Sequence, residues 1–182
     1  MNMNRLQCIA KKKSLFEYFV FKIEEWRKEC GPQYSDALTK LRLQKILFLA
    51  AAVNAQYEKH VLLDVFDSFH ALPYGPVEMD IYDAMNMNSF ENIRFNGNNC
   101  ELLGINNDCW DTIDANLREE IDLAIKMLRE IRIDYPWISV FSLVDITHRW
   151  SAWKVAMEFA DIIGAKSARL TTDDILTSSK YF

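Results

Sequence analysis

Asp145 and His148 stand three residues apart, so on a helix they share a face, as a carboxylate and an imidazole do when they hold a metal. A metal site needs a fuller ligand set. The remaining histidines, His60 and His70, form no matching helical pair, so neither a metal nor a cofactor is expected. Thr147-His148 sets a hydroxyl beside a base but supplies no third member for a nucleophilic triad. His148 is therefore expected to bond a neighbouring backbone or carboxyl group near a helix end, where a positive charge is also favoured.

A second constellation joins Lys45 to Tyr74-Gly75-Pro76. Lys45 lies in a stretch that is apolar almost all round, Leu38 to Ala50, which suits the middle of a bundle. There Gln44 and Lys45 must reach the surface or find partners, because an unpaired buried charge is costly. The Tyr74 hydroxyl is expected to tie the Gly75-Pro76 turn to Lys45 or to another interior polar group. Trp150 and Trp153 fall on one side if a helix continues through both, and they serve either the core or a partner, with the core expected. No catalytic residue is assigned and the chain is expected not to be an enzyme.

The elements that must position these residues are mostly helical. Phe16, Phe19, Val20, Ile23 and Trp26 mark one helical face between Lys13 and Cys30, ended by Gly31-Pro32, with the preceding Lys11-Lys12-Lys13 run expected to be solvated. The central helix starts between Ser35 and Thr39 and reaches about Glu58; its Ala50-Ala51-Ala52 patch permits close packing. Residues 62–74 read as extended, and a helix is expected from Pro76 to about Met85, with proline at its first position and Glu78 and Asp80 at its positive end. Asn96-Gly97, between Ile93, Phe95 and Cys100, Leu102, predicts a hairpin in the asparagine-rich segment 88–108, which is also a candidate contact surface. Asp114 to about Asp134 predicts an amphipathic helix, followed by helices at Trp137–His148, from Ser151 or Trp153 to Ile163 with Gly164 as its stop, and from Thr171. The expected fold is mainly α: a single-domain helical bundle with a small β-hairpin or short antiparallel strand element. Its core draws on Leu41, Leu43, Ile46, Leu47, Phe48, Leu49, Leu117, Ile121, Ile125 and Leu128.

The chain has 182 residues, half of them hydrophobic and 13% aromatic, enough for one substantial core. With 21 basic against 26 acidic residues the net charge is −5, which argues against nucleic acid as the main partner. Cys8, Cys30, Cys100 and Cys109 include no C-x-x-C pair, and the longest apolar run, Ile46 to Val53, is too short to span a membrane. A cytoplasmic protein is expected.

In order along the chain, Leu38-Thr39-Lys40-Leu41 through Gln44-Lys45-Ile46-Leu47, Tyr74-Gly75-Pro76-Val77 with Tyr82, Leu143 with Thr147-His148 and Trp153, and Thr172-Asp173-Asp174-Ile175 with Tyr181-Phe182 resemble the Panacea domain family. Its members include SocA-like and GepA-like proteins of bacteria and phages. The resemblance covers most of the chain from about residue 14, so residues 1–13 are read as a lead segment and 14–182 as a Panacea-like helical domain. It departs from the family pattern at Leu72-Pro73, where an aromatic and a basic residue are usual, and at Trp150, where a smaller one is usual. The resemblance implies an antitoxin that binds and neutralises a genetically linked protein toxin by direct contact. The alternative it implies is an adaptor that delivers the bound toxin to an ATP-dependent protease. A small metal-dependent hydrolase is the weaker third reading. The matching motif positions Lys45, Tyr74, Gly75, Pro76, His148, Trp150 and Trp153 become the binding candidates.

Overall fold

A computed structural model describes residues 3–30, 38–104 and 107–182. The expected helix stop at Gly31-Pro32 and the caps Ser35 and Asp36 lie outside these residues. Eight α-helices and two three-stranded antiparallel sheets are present among the described residues, so the chain is mainly α.

Helix α1 (Met3–Glu29) lays Leu15, Phe16, Phe19, Ile23 and Trp26 into the core. Helix α2 (Lys40–Val53) is buried at every position from Arg42 to Ala52, as an all-round apolar helix must be. Thr39 caps it by accepting a hydrogen bond from the Arg42 amide at 3.3 Å. It ends at Val53 and not near Glu58. Lys180 Nζ donates to the carbonyls of Ala52 and Ala55 at 3.2 and 2.6 Å, placing a cation at the carbonyl end of the helix. Of the ten expected core residues only Leu41 is half-exposed; the other nine are buried.

The segment read as extended divides into a short helix α3 (Val61–Val65) and a strand β2 (Phe69–Leu72). Pro76 does not open a helix. It lies in β3 (Gly75–Glu78), which pairs antiparallel with β2 from Phe69↔Glu78 to Leu72↔Gly75. Helix α4 (Met79–Met87) begins three residues later, capped by the Glu78 carboxylate, which accepts from the Ile81 amide at 2.8 Å. A proline lacks an N–H, which suits a helix start and a strand edge equally; pairing with β2 decides between them.

The predicted hairpin forms as β4 (Ile93–Asn96) and β5 (Asn99–Leu102), turning at Gly97 with φ +60°. Residues read as helix start supply a third strand, β1 (Leu38–Thr39), paired with β5. Asn88, itself left-handed at φ 52°, bonds both the amide and the carbonyl of Phe95, so one side chain closes the outer edge of β4. Helix α5 (Ala115–Ile131), capped by Asp114, buries the predicted stripe of Leu117, Ile121, Ala124, Ile125 and Leu128. Helix α6 (Val140–His148) starts three residues after Trp137. Helix α7 (Ser151–Ile162) stops before Gly164 at φ +69°, as expected. Strand β6 (Ala168–Arg169) joins the free side of β2, giving the order β3-β2-β6, and Thr171 opens α8 (Thr172–Thr177) with a capping box closed by Asp174. One contiguous cluster of buried apolar side chains runs from Leu15 to Ile175.

Lys12 overturns the expectation of a solvated basic run. It is buried, and its ammonium donates to Asp67, Glu78 and Asp80 at 2.8, 2.6 and 2.5 Å. Position 12 is one turn before Phe16, hence on the buried face of α1. Burial alone would lower its pKa, but the Glu78 charge and the bonds to Asp67 and Asp80 outweigh that and raise it. These three carboxylates are also the one cluster of potential metal ligands among the described residues, and the lysine ammonium sits at its centre.

Lys12→Met leaves the fully buried Glu78 without its cation and is expected to cost about 3 kcal/mol at neutral pH. Chemical denaturation across pH checks this. Burial already raises the Glu78 pKa, so the variant's deficit must shrink as pH falls from 7 towards 5 and Glu78 takes up a proton in place of the lost charge.

Candidate functional site

Gln44 and Lys45, the two polar residues in the apolar part of α2, meet the outer edge of β3. Gln44 Nε2 donates to the Glu78 carbonyl at 3.3 Å and the Glu78 amide donates to Gln44 Oε1 at 2.8 Å. One side-chain amide thus imitates the neighbouring strand that β3 lacks. Two residues earlier along the strand, Lys45 Nζ donates to the Pro76 carbonyl at 2.6 Å. Alternate residues of an edge strand turn their backbone groups outward, so residues 76 and 78 share this side. Pro76 brings no N–H to it, and the three polar groups that remain are all satisfied.

The fit at the start of β3 is equally tight. Gly75 has φ +92°, and a Cβ there would lie 2.5 Å from Thr147 Oγ1 and 3.1 Å from Lys45 Nζ. Glycine is required on both counts: the backbone is left-handed, and there is no space for a methyl group. Thr147 is buried and returns its hydroxyl to the Val144 carbonyl at 2.9 Å.

Next to it, the His148 ring stacks on Trp153 with centroids 3.7 Å apart and planes 11° from parallel. Trp153 Nε1 donates to the Leu72 carbonyl at 2.9 Å, so α6 and α7 together grip the β2–β3 turn. Burial lowers the His148 pKa, the nearby Lys45 lowers it further, and Asp145 and the Pro73 carbonyl partly oppose them. Asp145 is exposed and acts as a nearby charge; His148 belongs to no cluster of three metal-ligating groups among the described residues. His148 Nε2 is buried with no hydrogen-bond partner.

One expectation is corrected by these positions. Lys45 does tie the Gly75-Pro76 segment to α2, but through the Pro76 carbonyl; Tyr74 is 61% exposed at the turn. As the expected break between the two helices implies, α6 ends at His148 and Trp150 is the cap residue before α7, so no continuous helix puts Trp150 and Trp153 on one side. Trp150 is fully buried, packs edge-on against Phe48 and Phe182, and donates Nε1 to the Tyr181 carbonyl at 2.7 Å. Lys45, Gly75, Pro76, His148 and Trp153 therefore converge, while Trp150 fastens the chain end elsewhere in the core. The motif spacing did not point to Thr147 as the wall facing Gly75; its place beside His148 was the available signal.

Lys45 is wholly buried, and burial pushes its pKa down from 10.5 to about 7. Between those values the unfolded chain holds a proton that the folded chain lacks, so stability rises with pH across this window. Lys45→Met removes this contribution. The stability of the natural chain relative to the variant is expected to increase from pH 7 to pH 10, read from paired urea titrations. A flat difference would place a solvated ammonium at this position.

Gly75→Ala is expected to cost more than about 3 kcal/mol, combining the clash with a disfavoured backbone angle. Adding Thr147→Ala removes the clashing oxygen, so the double variant should recover part of the loss and retain about 1 kcal/mol of backbone strain. Thermal unfolding of the two singles and the double measures the coupling.

A family model described as antitoxin SocA-like, Panacea domain, matches residues 43–154, which run from the first turn of α2 into α7 and contain the whole of this arrangement. No significant match was found among curated proteins or among solved structures.

Proposed function

The chain belongs to the antitoxin SocA-like, Panacea-domain family, and from that premise we propose that it is an antitoxin which binds a genetically linked protein toxin and neutralises it by direct contact in the cytoplasm. The observation that carries this is the coincidence of the family match with the sealed β3 edge. The polar residues of the motif are spent on holding a shape: Lys45 and Gln44 on strand carbonyls and an amide, Trp153 on the Leu72 carbonyl, and His148 in a stack. A protein that works by contact needs such a rigid platform, with contact residues outside it. Tyr74 is the most exposed ring of the motif, and Phe141 on α6 is 65% exposed, so both belong to the proposed contact set. Lys45, Gly75, Pro76, His148, Trp150 and Trp153 act in binding by supporting it.

The lead segment 1–13 and the domain 14–182 are part of the same proposal. The continuous core supports the unity of the domain, and Lys12 ties the lead segment onto it. No helix among the described residues is long and apolar enough to cross a membrane.

The test is to express the neighbouring reading frame alone and together with this chain. Growth arrest by the neighbour alone, relieved on co-expression with recovery of a complex of the two proteins, is the expected result. Arrest that persists despite co-expression would sink the antitoxin reading. Measuring the neighbour's lifetime separates neutralisation by contact, which leaves it stable, from delivery to an ATP-dependent protease, which shortens it.

A further inference from the structure

The β3-β2-β6 sheet has two edges, and they differ. At β3 the outward groups are taken up by Gln44 and Lys45. At β6 the register pairs Arg169 with His70, and the Leu170 amide donates to the Phe69 carbonyl at 2.8 Å. In an antiparallel pair this makes Arg169↔His70 the pair that exchanges no hydrogen bonds, so the Arg169 N–H and C=O point away from β2. Beside this edge runs a groove of about 690 Å³ between α7 and the β6–α8 segment, with Ser167, Ala168 and Arg169 on one wall. Its other wall is apolar: Val155 and Phe159 on α7 and Ile163 at its C-cap are 64%, 55% and 57% exposed at four-residue spacing, along one stripe.

Resting on the antitoxin reading, we propose that this groove is where the toxin docks, by adding an extended segment to the free edge of β6 with alternate apolar side chains turned onto the α7 stripe. The chemistry of the rim selects that occupant. The hydroxyls of Ser151, Ser178 and Thr177 and the Oδ2 of Asp174 are already engaged with one another or with local backbone, so the groove offers a ligand chiefly apolar surface and strand backbone. Main-chain pairing with pockets for every second side chain is how an extended peptide binds such an edge. A second copy of the chain fits poorly. A stable homodimer needs on the order of 800 Å² from each partner, whereas this is a slot walled by two helices, with a two-residue strand at its border.

The experiment uses the full chain and the neighbouring gene product, with binding measured by titration calorimetry and folding monitored by circular dichroism. Phe159→Asp is expected to weaken the complex about 100-fold, as loss of a buried aromatic anchor does. Arg169→Pro removes the outward N–H while keeping an edge position that tolerates proline, and should weaken binding about tenfold. Arg169→Ala keeps the N–H and should bind like the natural chain, which separates the backbone contact from the side chain. In hydrogen exchange the Arg169 amide should become protected on complex formation. If the natural chain binds and neutralises but Phe159→Asp and Arg169→Pro do so equally well, the docking site is wrong and the antitoxin reading stands. If the natural chain does not bind, both fall. A free chain that elutes as a dimer, with Arg169 already protected, puts a second copy in the groove and overturns the proposal.

Discussion

A sheet edge buried against a helix is the constraint on which the rest of the structure depends. Strand β3 runs beside α2, an element with no strand ladder to offer, and outward backbone groups left without partners there would each cost on the order of 1–3 kcal/mol. The chain solves this from both sides. Pro76 deletes one of the donors, while Gln44 and Lys45 supply the partners for what remains. Because these two residues are adjacent on α2 and their targets are two residues apart on β3, helix and strand can meet in one register. Gly75 then follows from the closeness of that meeting, since a side chain there would strike Thr147 and Lys45.

The consequences extend outward from the edge. Glu78, held on its backbone by Gln44, spends its carboxylate on capping α4 and on Lys12, so the strand, the next helix and α1 are fixed through one residue. Leu72, at the other end of the hairpin, is held through its carbonyl by Trp153, whose ring carries His148. Lys45 stands among these with no carboxylate, and its ammonium is disfavoured by burial. A neutral amine can still donate to Pro76, which explains how a lysine persists where an unpaired charge could not.

Much of this was legible in the residues. An apolar helix containing Gln44 and Lys45 poses the question of their partners, and Gly75-Pro76 marks a backbone that must be special. The type of structure at Pro76 was not legible, because proline at a helix start and proline on a strand edge obey the same rule about a missing donor. The β2–β3 pairing that decides between them is a tertiary fact. The same holds for Leu38–Thr39, a strand of two residues defined by β5 alone. Lys12 was misread because a run of three lysines looks solvated in sequence, although its phase with Phe16 and Phe19 already placed one of the three on the inner face. The predicted hairpin at Asn96-Gly97 and the stripe of α5 were readable because turn chemistry and helical period are local.

Sealing and exposure are complementary parts of one sheet. An edge strand presents a template for pairing, and native proteins blunt such edges with covering side chains or charge. Here β3 is covered by α2 and β4 by Asn88, both with specific hydrogen bonds. At β6 the device is different: the strand is only two residues long and ends in Arg169, whose guanidinium turns to the Asp67 carbonyl at 3.4 Å. Shortness and a charged side chain prevent indiscriminate pairing without filling the backbone positions. Rigidity at the covered edge keeps the sheet in place, so the open edge and the α7 stripe hold a defined spacing. That spacing is what the proposed docking of a partner strand requires and what scattered exposed apolar residues lack.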